Sequence, residues 1–442
     1  MISEAQRRGD EPLRRADGEA PLELMLHLRP HPRQAAHLRL HHEGHRDAVF
    51  LDRLEHARRF GLRPATRRRL TRLLAAVGIH VVDYHAASRA VHVRTTVGEA
   101  ERAFGVELSW YDGPDGEHLR PSGPPVMPPA LKRTVLAVHG LDRRRITPRR
   151  RLVLDEGLAE ADAARASRVS GVGAPAWAAA YGVPAGDGAG VRVTILQFGG
   201  GFDADQLKKA FQSVLGDDGP TFAVGSVLGA SSNTGDVDGS QEVMLDLQVL
   251  GAIVPKASFK VLFAPNDAFG WPEAIRQAVH DDDTPHVISI SWGAVEAVWP
   301  ESARTSIAQS LRDATSLGVT VCCSSGDLGS EPSPAGAPQV EFPASAPDVL
   351  ACGGTHATLS GGAITAETVW CDATRGTGGG VSGLFPVPTW QVAAAPGPSL
   401  ATGKAGRGVP DVSANAAPNP GWRVLLNNGA WTAIGGTSAV AP

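Results

Sequence analysis

The chain has 442 residues, of which 42% are hydrophobic and 20% charged, an ordinary composition for a globular protein of two or three domains. No stretch of about 18 consecutive apolar residues occurs, which argues against a membrane-spanning helix, and residues 1–15 lack the apolar core of a signal peptide. The four cysteines match no zinc-binding spacing and indicate no disulfide framework.

Charge and histidine are distributed unevenly along the chain. Residues 1–170 contain 30 Lys and Arg against 22 Asp and Glu, whereas residues 171–442 contain 12 against 24. Twelve of the 15 histidines precede residue 140. Opposite net charges favour attraction between the two parts of the chain. A nucleic-acid-binding arm is the alternative interpretation, but the early basic residues are interleaved with apolar ones, as on a solvated protein surface. We therefore expect no nucleic-acid partner.

Residues 20–142 are predicted to form a small α+β domain, after a disordered N-terminus at 1–19. Leucines alternate with other residues from Leu22 to Leu28, the period-two pattern of a strand. The elements predicted after this strand are helices at 47–59 and 64–77, strands at 79–82 and 90–93, a helix from 96 to 104 with a capping box, a strand at 106–111 and a helix at 129–138. This order indicates a ferredoxin-like, split-βαβ topology.

Residues 143–171 change in character. Two arginine triplets, 143–145 and 149–151, are followed by a segment rich in Ala, Asp and Glu with few large apolar residues. That composition predicts an exposed linker of the kind that proteases cut.

From residue 172 to 442, short apolar strands alternate with helical stretches. The strands are predicted at 191–198, 259–264, 287–291 and 319–323, and the helices at 241–253, 272–281, 301–316 and from Asp203 onwards. This alternation predicts an α/β fold with a mostly parallel sheet and helices on both faces.

A glycine-rich loop supports one interpretation of this second part. Residues 199–204 fit the pattern G-x-G-x-x-A after a strand, with Asp217 and Asp218 downstream. A dinucleotide-binding oxidoreductase is therefore an alternative, although no site for hydride transfer is evident later in the chain.

Two carboxylates lie four residues apart in an otherwise apolar helix. The spacing of Glu242 and Asp246 puts both side chains on one helix face, and two like charges in a partly buried site raise the pKa of one of them. An exposed acidic stripe is the alternative, but the apolar neighbours leave little room for a solvated face.

Three further motifs follow predicted strands or end the chain. Asp327 follows Ser325-Gly326 after one strand, and Ser291-Trp292-Gly293 follows another, where ligands bind in parallel sheets. Ser438 lies in Gly435-Gly436-Thr437-Ser438, a tight turn before small apolar residues, where free backbone N–H groups can stabilise an oxyanion. Each motif alone is equally compatible with an ordinary turn.

Together these motifs resemble the sedolisin family of serine-carboxyl peptidases, most closely its kumamolisin-like members. The matching stretches are 241–246, 263–266, 289–293, 325–327, 352–355, 378–382, 407–412 and 435–442. Residues 20–141 resemble the family's pro-kumamolisin-type activation domain, including 103–106 and 139–142.

The resemblance implies a subtilisin-like fold and an endopeptidase made as a zymogen and active at acidic pH. Ser438 would be the nucleophile, Glu242 its general base and Asp246 the group that orients Glu242. Asp327 would be protonated and would donate a hydrogen bond to the oxyanion beside the Ser438 N–H. The stretch 291–293 would contact the substrate. A glutamate stays ionised in acid where histidine would be protonated, which fits this set of residues.

The resemblance also carries expectations about partners and cofactors. The partners would be polypeptide substrates and the chain's own propeptide as an inhibitor, with no membrane association and a monomeric state. Secretion is implied, although no signal peptide is visible. The family binds calcium near its C-terminus, and the chain ends at Pro442 before such ligands, so we expect a C-terminally incomplete peptidase domain without a metal site.

Two features of the sequence lead to further hypotheses. Gln197 stands where the family's kumamolisin-like members have a glutamate, which predicts a shifted pH profile. The resemblance implies a propeptide that acid releases, and the early histidines suggest a route, because their protonation adds positive charge as the acidic partner loses its negative charge. A catalytically inert relic that acts as a binding module is the remaining alternative function.

Overall fold

The computed structural model describes residues 11–44, 48–113, 116–147, 153–154, 171–332 and 336–442. The chain divides into two compact units. The first contains Met1–Ile146, Asn266–Arg276 and Trp299–Leu317, and the second contains Thr147–Pro265, Gln277–Val298 and Gly318–Pro442.

The first unit is built on a four-stranded antiparallel sheet. Its elements within residues 11–146 are strands β1 (Arg14–Arg15), β2 (Pro21–Leu28), β3 (His80–His85), β4 (Ala90–Thr96), β5 (Leu108–Tyr111), β6 (His118–Pro121) and β7 (Val135–His139), and helices α1 (Gln34–His42), α2 (Arg53–Phe60), α3 (Pro64–Ala75), α4 (Val97–Phe104) and α5 (Pro129–Lys132). The main sheet has the order β3-β4-β2-β7, and β1, β5 and β6 form a second sheet. The main sheet has the strand order of a ferredoxin-like fold, which confirms the predicted α+β class.

One element prediction in this unit is wrong, and one predicted strand lies in the second sheet. The stretch 129–138, predicted as a helix, forms one helical turn and then strand β7, in which Val135, Ala137 and His139 are buried. The segment is a strand because its backbone pairs with β2 along the edge of the main sheet. The predicted strand at 106–111 does form as β5, but it pairs with β1 and β6, so β7 is the fourth strand of the main sheet.

Residues 11–19, expected to be disordered with residues 1–10, are ordered. Arg14 and Arg15 pair with β5 as strand β1, and their side chains form ion pairs with Glu117 and Glu101. The expectation fails because backbone pairing and charge compensation hold this short segment. Residues 1–10 lie outside the described residues, as do 148–152 and 155–170 of the proposed linker.

The second unit is organised around a mostly parallel sheet. Its strands are β8 (Val153–Leu154), β9 (Arg192–Gln197), β10 (Phe222–Ser226), β11 (Ser258–Phe263), β12 (Val287–Ile290), β13 (Ala294–Val295), β14 (Thr320–Ser324), β15 (Glu331–Pro332), β16 (Pro338–Gln339), β17 (Glu341–Phe342), β18 (Leu350–Ser360), β19 (Ala363–Val369), β20 (Gly380–Val381), β21 (Gly408–Val409), β22 (Val412–Asn415), β23 (Trp422–Leu425) and β24 (Trp431–Gly435). The sheet order is β10-β11-β9-β12-β14-β18-β19, with β22 beside β18. Within this order, neighbouring strands from β10 as far as β18 run parallel, and β19 is antiparallel to β18.

Helices complete both units. Helices α6 (Ala174–Ala180), α7 (Ala204–Val214) and α8 (Val237–Ile253) belong to the second unit, α9 (Gly270–Val279) begins in the first unit, and α10 (Glu301–Leu317) lies within the first. The predicted helices at 241–253, 272–281 and 301–316 are confirmed within a few residues. Helix α8 is buried around most of its circumference, because apolar residues occupy every face, and it lies in the main core of the second unit. The expected subtilisin-like α/β fold is confirmed.

Candidate active site

Three parallel strands bring the candidate residues to one edge of the sheet. Strand β9 ends at Gln197, β12 ends one residue before Ser291, and β14 ends three residues before Asp327. Strand β12 pairs with β9 and with β14 in parallel. Because the C-terminal ends of parallel strands lie at the same edge, the side chains that follow them meet there.

Helix α8 brings the two predicted carboxylates into the same region. Its N-terminus is capped by Asp236, whose side chain accepts hydrogen bonds from the backbone N–H groups of Gly239 and Gly200. Glu242 and Asp246 are 5% and 0% exposed, so the alternative of an exposed acidic stripe is wrong. Both carboxyl groups are held inside the second unit.

Asp246 accepts two hydrogen bonds from neutral donors. Ser291 Oγ donates to Asp246 Oδ1 at 2.7 Å, and Gln197 Nε2 donates to Asp246 Oδ2 at 2.6 Å. Burial raises the pKa of Asp246 to about 7, and the two donors oppose this rise because they stabilise the ionised form. Asp246 is therefore neutral in acid.

Ser438 contacts the residue that follows β12 at two points. Its hydroxyl Oγ donates to the backbone oxygen of Ser291 at 3.2 Å, and Ser291 Oγ lies 3.3 Å from the backbone oxygen of Ser438. Ser438 lies in a 3-10 turn, Thr437–Ala439, directly after Gly436, whose φ of 121° only glycine adopts readily. The glycine turn predicted from sequence is thus the feature that presents Ser438.

Asp327 is bound to the residue before Ser438. The backbone N–H of Thr437 donates to Asp327 Oδ1 at 2.8 Å, and the Thr437 hydroxyl lies 2.8 Å from the same oxygen. The same hydroxyl oxygen accepts from the backbone N–H of Gly326 at 3.1 Å. No role for Thr437 was assigned from the sequence. Its place between Gly436 and Ser438 is the feature that could have indicated one.

The predicted substrate-contacting residues have internal roles in the structure. Ser291 and Trp292 are 2% and 5% exposed, and Gly293 is buried. The Trp292 indole N–H donates to Gln197 Oε1 at 2.9 Å, which extends the chain of hydrogen bonds from Asp246. A side chain at Gly293 would come within 2.7 Å of the Glu341 carboxylate. Ser291 thus supports the Asp246 carboxylate directly and Trp292 supports it through Gln197, which was not evident from the sequence.

The glycine loop after β9 is packed by protein. A Cβ at Gly200 would lie 2.1 Å from the backbone of Gly239 in the first turn of α8. The N–H groups of Gly200 and Gly201 donate to Asp236 and Ser240. A dinucleotide pyrophosphate would need this space and these donors, so the oxidoreductase alternative is wrong.

The described residues do not supply a cluster of side chains that fits calcium. No group of three or more His, Cys, Asp or Glu side chains in them is arranged to hold a metal ion. Within the same residues, no helix is both long and apolar enough to cross a membrane.

Comparisons with known proteins agree with this geometry. Residues 11–144 match the family described as "Pro-kumamolisin, activation domain", and residues 223–442 match the subtilase family. The chain is 39% identical to kumamolisin from Bacillus sp. (strain MN-32) over 443 residues, covering 97% of this chain and 77% of that protein. It is 34% identical to sedolisin from Pseudomonas sp. (strain 101) over 242 residues, or 50% of this chain and 39% of that protein.

A solved structure supports the same assignment. Pseudomonas sedolisin, a serine-carboxyl proteinase complexed with two molecules of pseudo-iodotyrostatin, aligns with a TM-score of 0.53 and 30% identity, covering 62% of this chain and 78% of that one. The chain therefore belongs to the sedolisin family of serine-carboxyl peptidases, and it is a peptidase that carries its own activation domain.

Proposed function

We propose that this peptidase is an acid-active endopeptidase that cleaves polypeptides through an acyl-enzyme. Ser438 is the nucleophile, Glu242 the general base, Asp246 the group that orients Glu242, and Asp327 the acid that donates to the oxyanion. The proposal is supported best by the hydrogen bonds through which Ser291 links Asp246 to Ser438 at the C-terminal edge of the sheet.

Glu242 is the base in this proposal because of its place on α8. It precedes Asp246 by four residues, one helical turn, so the two carboxyl groups share a helix face. Asp246 is neutral in acid, as the pKa of about 7 implies. Because the Gln197 amide donates to Oδ2, the proton of neutral Asp246 resides on Oδ1, from which it can be donated to the Glu242 carboxylate. A base oriented by a neutral acid remains ionised at a pH where histidine would be protonated.

The proposed reaction has two stages. The Ser438 oxygen attacks the peptide carbonyl carbon while Glu242 takes the hydroxyl proton, and Asp327 stabilises the resulting oxyanion. Glu242 then gives the proton to the leaving amine, and the acyl-enzyme forms. In the second stage Glu242 takes a proton from water, the hydroxide oxygen attacks the ester, and Ser438 recovers its proton as the acid product leaves.

We propose the following division of the zymogen. Residues 20–142 form the inhibitory propeptide, 143–171 contain the cleavage site and 172–442 form the peptidase domain. The family's calcium requirement is kept as an expectation, with no described residue assigned to it. We further propose an extracellular monomer that binds neither nucleic acid nor membranes.

Self-cleavage tests the proposal. The full chain is brought to about pH 4, where carboxylate catalysis operates, and the products are identified by intact mass and N-terminal sequencing. We expect a cut within 143–171 that Ser438→Ala and Glu242→Gln abolish. Equal cleavage by Ser438→Ala would refute the nucleophile. An uncleaved chain that also fails to hydrolyse added peptides would support the inert binding module instead.

A further inference from the structure

Thr437 makes two hydrogen-bonding contacts with a single oxygen of Asp327. Its backbone N–H donates to Oδ1 at 2.8 Å, and its hydroxyl lies 2.8 Å from the same atom. Thr437 and Asp327 are 0% and 4% exposed, so water does not compete for these contacts. Thr437 therefore controls the surroundings of Asp327 Oδ1.

The backbone contact limits where a proton can reside on Asp327. An N–H group is always a donor, so the oxygen that faces it must accept. A proton on Oδ1 would compete with the Thr437 N–H for the lone pairs of that oxygen. It would also displace the Thr437 hydroxyl proton, which would turn to the backbone oxygen of Gly326, 3.1 Å from the hydroxyl oxygen. A neutral Asp327 consequently carries its proton on Oδ2.

Oδ2 faces the glycine that precedes Thr437. A Cβ built at Gly436 would lie 3.0 Å from Oδ2 and 3.7 Å from Oδ1, so Oδ2 is the nearer oxygen to the turn that presents Ser438. Another carboxylate, that of Glu341, approaches Gly326 on the chain just before Asp327, where a Cβ would lie 2.3 Å from its oxygen. The Thr437 hydroxyl also accepts from the Gly326 N–H, which ties this loop to the turn at Ser438.

We infer that Thr437 is a positioning residue that fixes which oxygen of Asp327 carries the acid proton and thereby aims that proton at the oxyanion. The inference rests on the proposed role of Asp327 in catalysis. A hydroxyl that holds Oδ1 as an acceptor acts in the transition state, where Asp327 must donate, and contributes little to binding the substrate in its ground state. Loss of this hydroxyl should lower kcat rather than raise KM.

Two substitutions separate positioning from packing. Thr437→Val keeps the shape and the backbone N–H but removes the hydroxyl, whereas Thr437→Ser keeps the hydroxyl and removes a methyl group. The readouts are kcat and KM of the acid-activated full chain on a peptide substrate. We expect Thr437→Val to lower kcat by about 10- to 100-fold with KM within about twofold, and Thr437→Ser to stay within about threefold of the parent.

A peptide aldehyde and the corresponding peptide alcohol provide a second measurement. The aldehyde forms a tetrahedral adduct with the serine, whereas the alcohol binds without reacting. Thr437→Val should weaken binding of the aldehyde about 10-fold or more and leave binding of the alcohol unchanged. Equal losses of kcat in both variants, or equal weakening of aldehyde and alcohol, would overturn the positioning role.

Variants at Ser438 and Asp327 separate failure of the proposed function from failure of the inference about Thr437. If Ser438→Ala or Asp327→Asn retained full activity, the proposed function itself would fail. If those variants were inactive while Thr437→Val kept the parent kcat, the inference about Thr437 alone would fail. Thermal melting of each variant checks that it is folded at the assay temperature.

Discussion

The side-chain amide of Gln197 donates to Asp246, with 2.6 Å between Nε2 and Oδ2. The orientation of this amide is determined by Trp292, whose indole N–H can only donate and lies 2.9 Å from Gln197 Oε1. Asp246 therefore receives a donor that does not titrate. A glutamate at position 197 would make this donor depend on pH.

Gln197→Glu should narrow the pH range of activity. In acid the neutral glutamic acid can donate to Asp246 and accept from Trp292, so activity near pH 4 stays within about threefold of the parent. As the pH rises, ionisation of this glutamate adds a negative charge beside Asp246 to the one that the base Glu242 carries, and activity should fall about tenfold per pH unit. Rate profiles between about pH 3 and 7 measure this effect.

Gln197→Met is the matched control for that experiment. It fills a similar volume and has neither the donor nor the acceptor, so activity should fall at every pH without a change in the shape of the profile. If Gln197→Glu and Gln197→Met gave the same profile shape, the hydrogen bond to Asp246 would have no part in setting the pH dependence.

Asp246→Asn should remove a pH-dependent part of the stability. The pKa of Asp246 is raised to about 7 in the folded chain, above the ordinary value of 3.8, so its contribution is fully present below pH 3.8 and is lost as the pH rises through about 7. The loss amounts to roughly 1.4 kcal/mol per pH unit within this window. Asparagine cannot ionise, so the variant should lack this slope.

Urea unfolding at several pH values between about 4 and 7 measures the slope, because the free energy of unfolding is obtained at each pH. All chains in this experiment also carry Ser438→Ala, so that no cleavage intervenes. Asp205→Asn, at an exposed position on α7, should keep the parent slope. In the chain with Ser438 intact, Asp246→Asn should abolish self-cleavage. An unchanged slope would contradict an Asp246 that ionises near neutrality.

His139→Gln should reduce the acid sensitivity of the first unit. His139 Nε2 lies 2.8 Å from Ser306 Oγ, and its ring is 4.8 Å from that of His27, which is hydrogen bonded to Glu273. Burial and then the neighbouring His27 lower the pKa of His139 to about 3. In the unfolded chain, His139 binds a proton below about pH 6.5, whereas in the folded unit it stays neutral down to about pH 3. The stability of the folded unit therefore falls as the pH falls from about 6.5 to 3.

Glu273 acts in the same direction at lower pH. Burial alone would raise its pKa, but Arg276 and His27 hold it below the usual range. Stability is therefore lost through this carboxylate as well when the pH falls below about 4.5. The two groups together make the packing of this cluster weaker in acid, as the hypothesis about early histidines requires.

The measurement uses the Ser438→Ala chain, so that no cleavage intervenes. Hydrogen exchange of peptides from β2 and β7 in urea, corrected for intrinsic exchange, gives the opening free energy at each pH. His139→Gln should flatten the dependence by roughly 1.4 kcal/mol per pH unit, and exposed His80→Gln should not. Parallel slopes in all three chains would exclude His139 as an acid-sensitive group.

Gly436→Ala should lower kcat as well as stability. A methyl group there would lie 3.0 Å from Asp327 Oδ2, and the φ of 121° strains any residue with a Cβ. We expect a stability loss of about 1–3 kcal/mol and a fall in kcat of at least tenfold. Gly403→Ala, which also has positive φ but meets open space, should lose stability without losing kcat. Equal kcat in the two variants would contradict the contact.

Several residues could be assigned from sequence because local pattern suffices. The spacing of Glu242 and Asp246 and the apolar residues around them predicted a buried helix with two carboxylates on one face. The capping box at Thr96 and Glu99 predicted the start of α4, and both of its hydrogen bonds are present. The ordered motifs along the second part of the chain pointed to the sedolisin family.

Other features depended on distant parts of the chain. The stretch 129–138 has no local signal that separates a helix from strand β7, because what decides its conformation is pairing with β2 more than a hundred residues earlier. Ser291 and Trp292 were expected to face substrate, and only the folded sheet brings them against Asp246 and Gln197.

By itself, the sequence determined the residue types available for chemistry, the parallel α/β class and the family. The tertiary structure decided the hydrogen bonds: that Asp246 is bound by Ser291 and Gln197, and that Asp327 is bound by Thr437. The reason is physical. Helix periodicity and turn chemistry act over a few residues, whereas the ends of parallel strands meet only after the whole sheet has formed. Hydrogen bonds also require the donor and acceptor atoms to be placed to within a few tenths of an ångström.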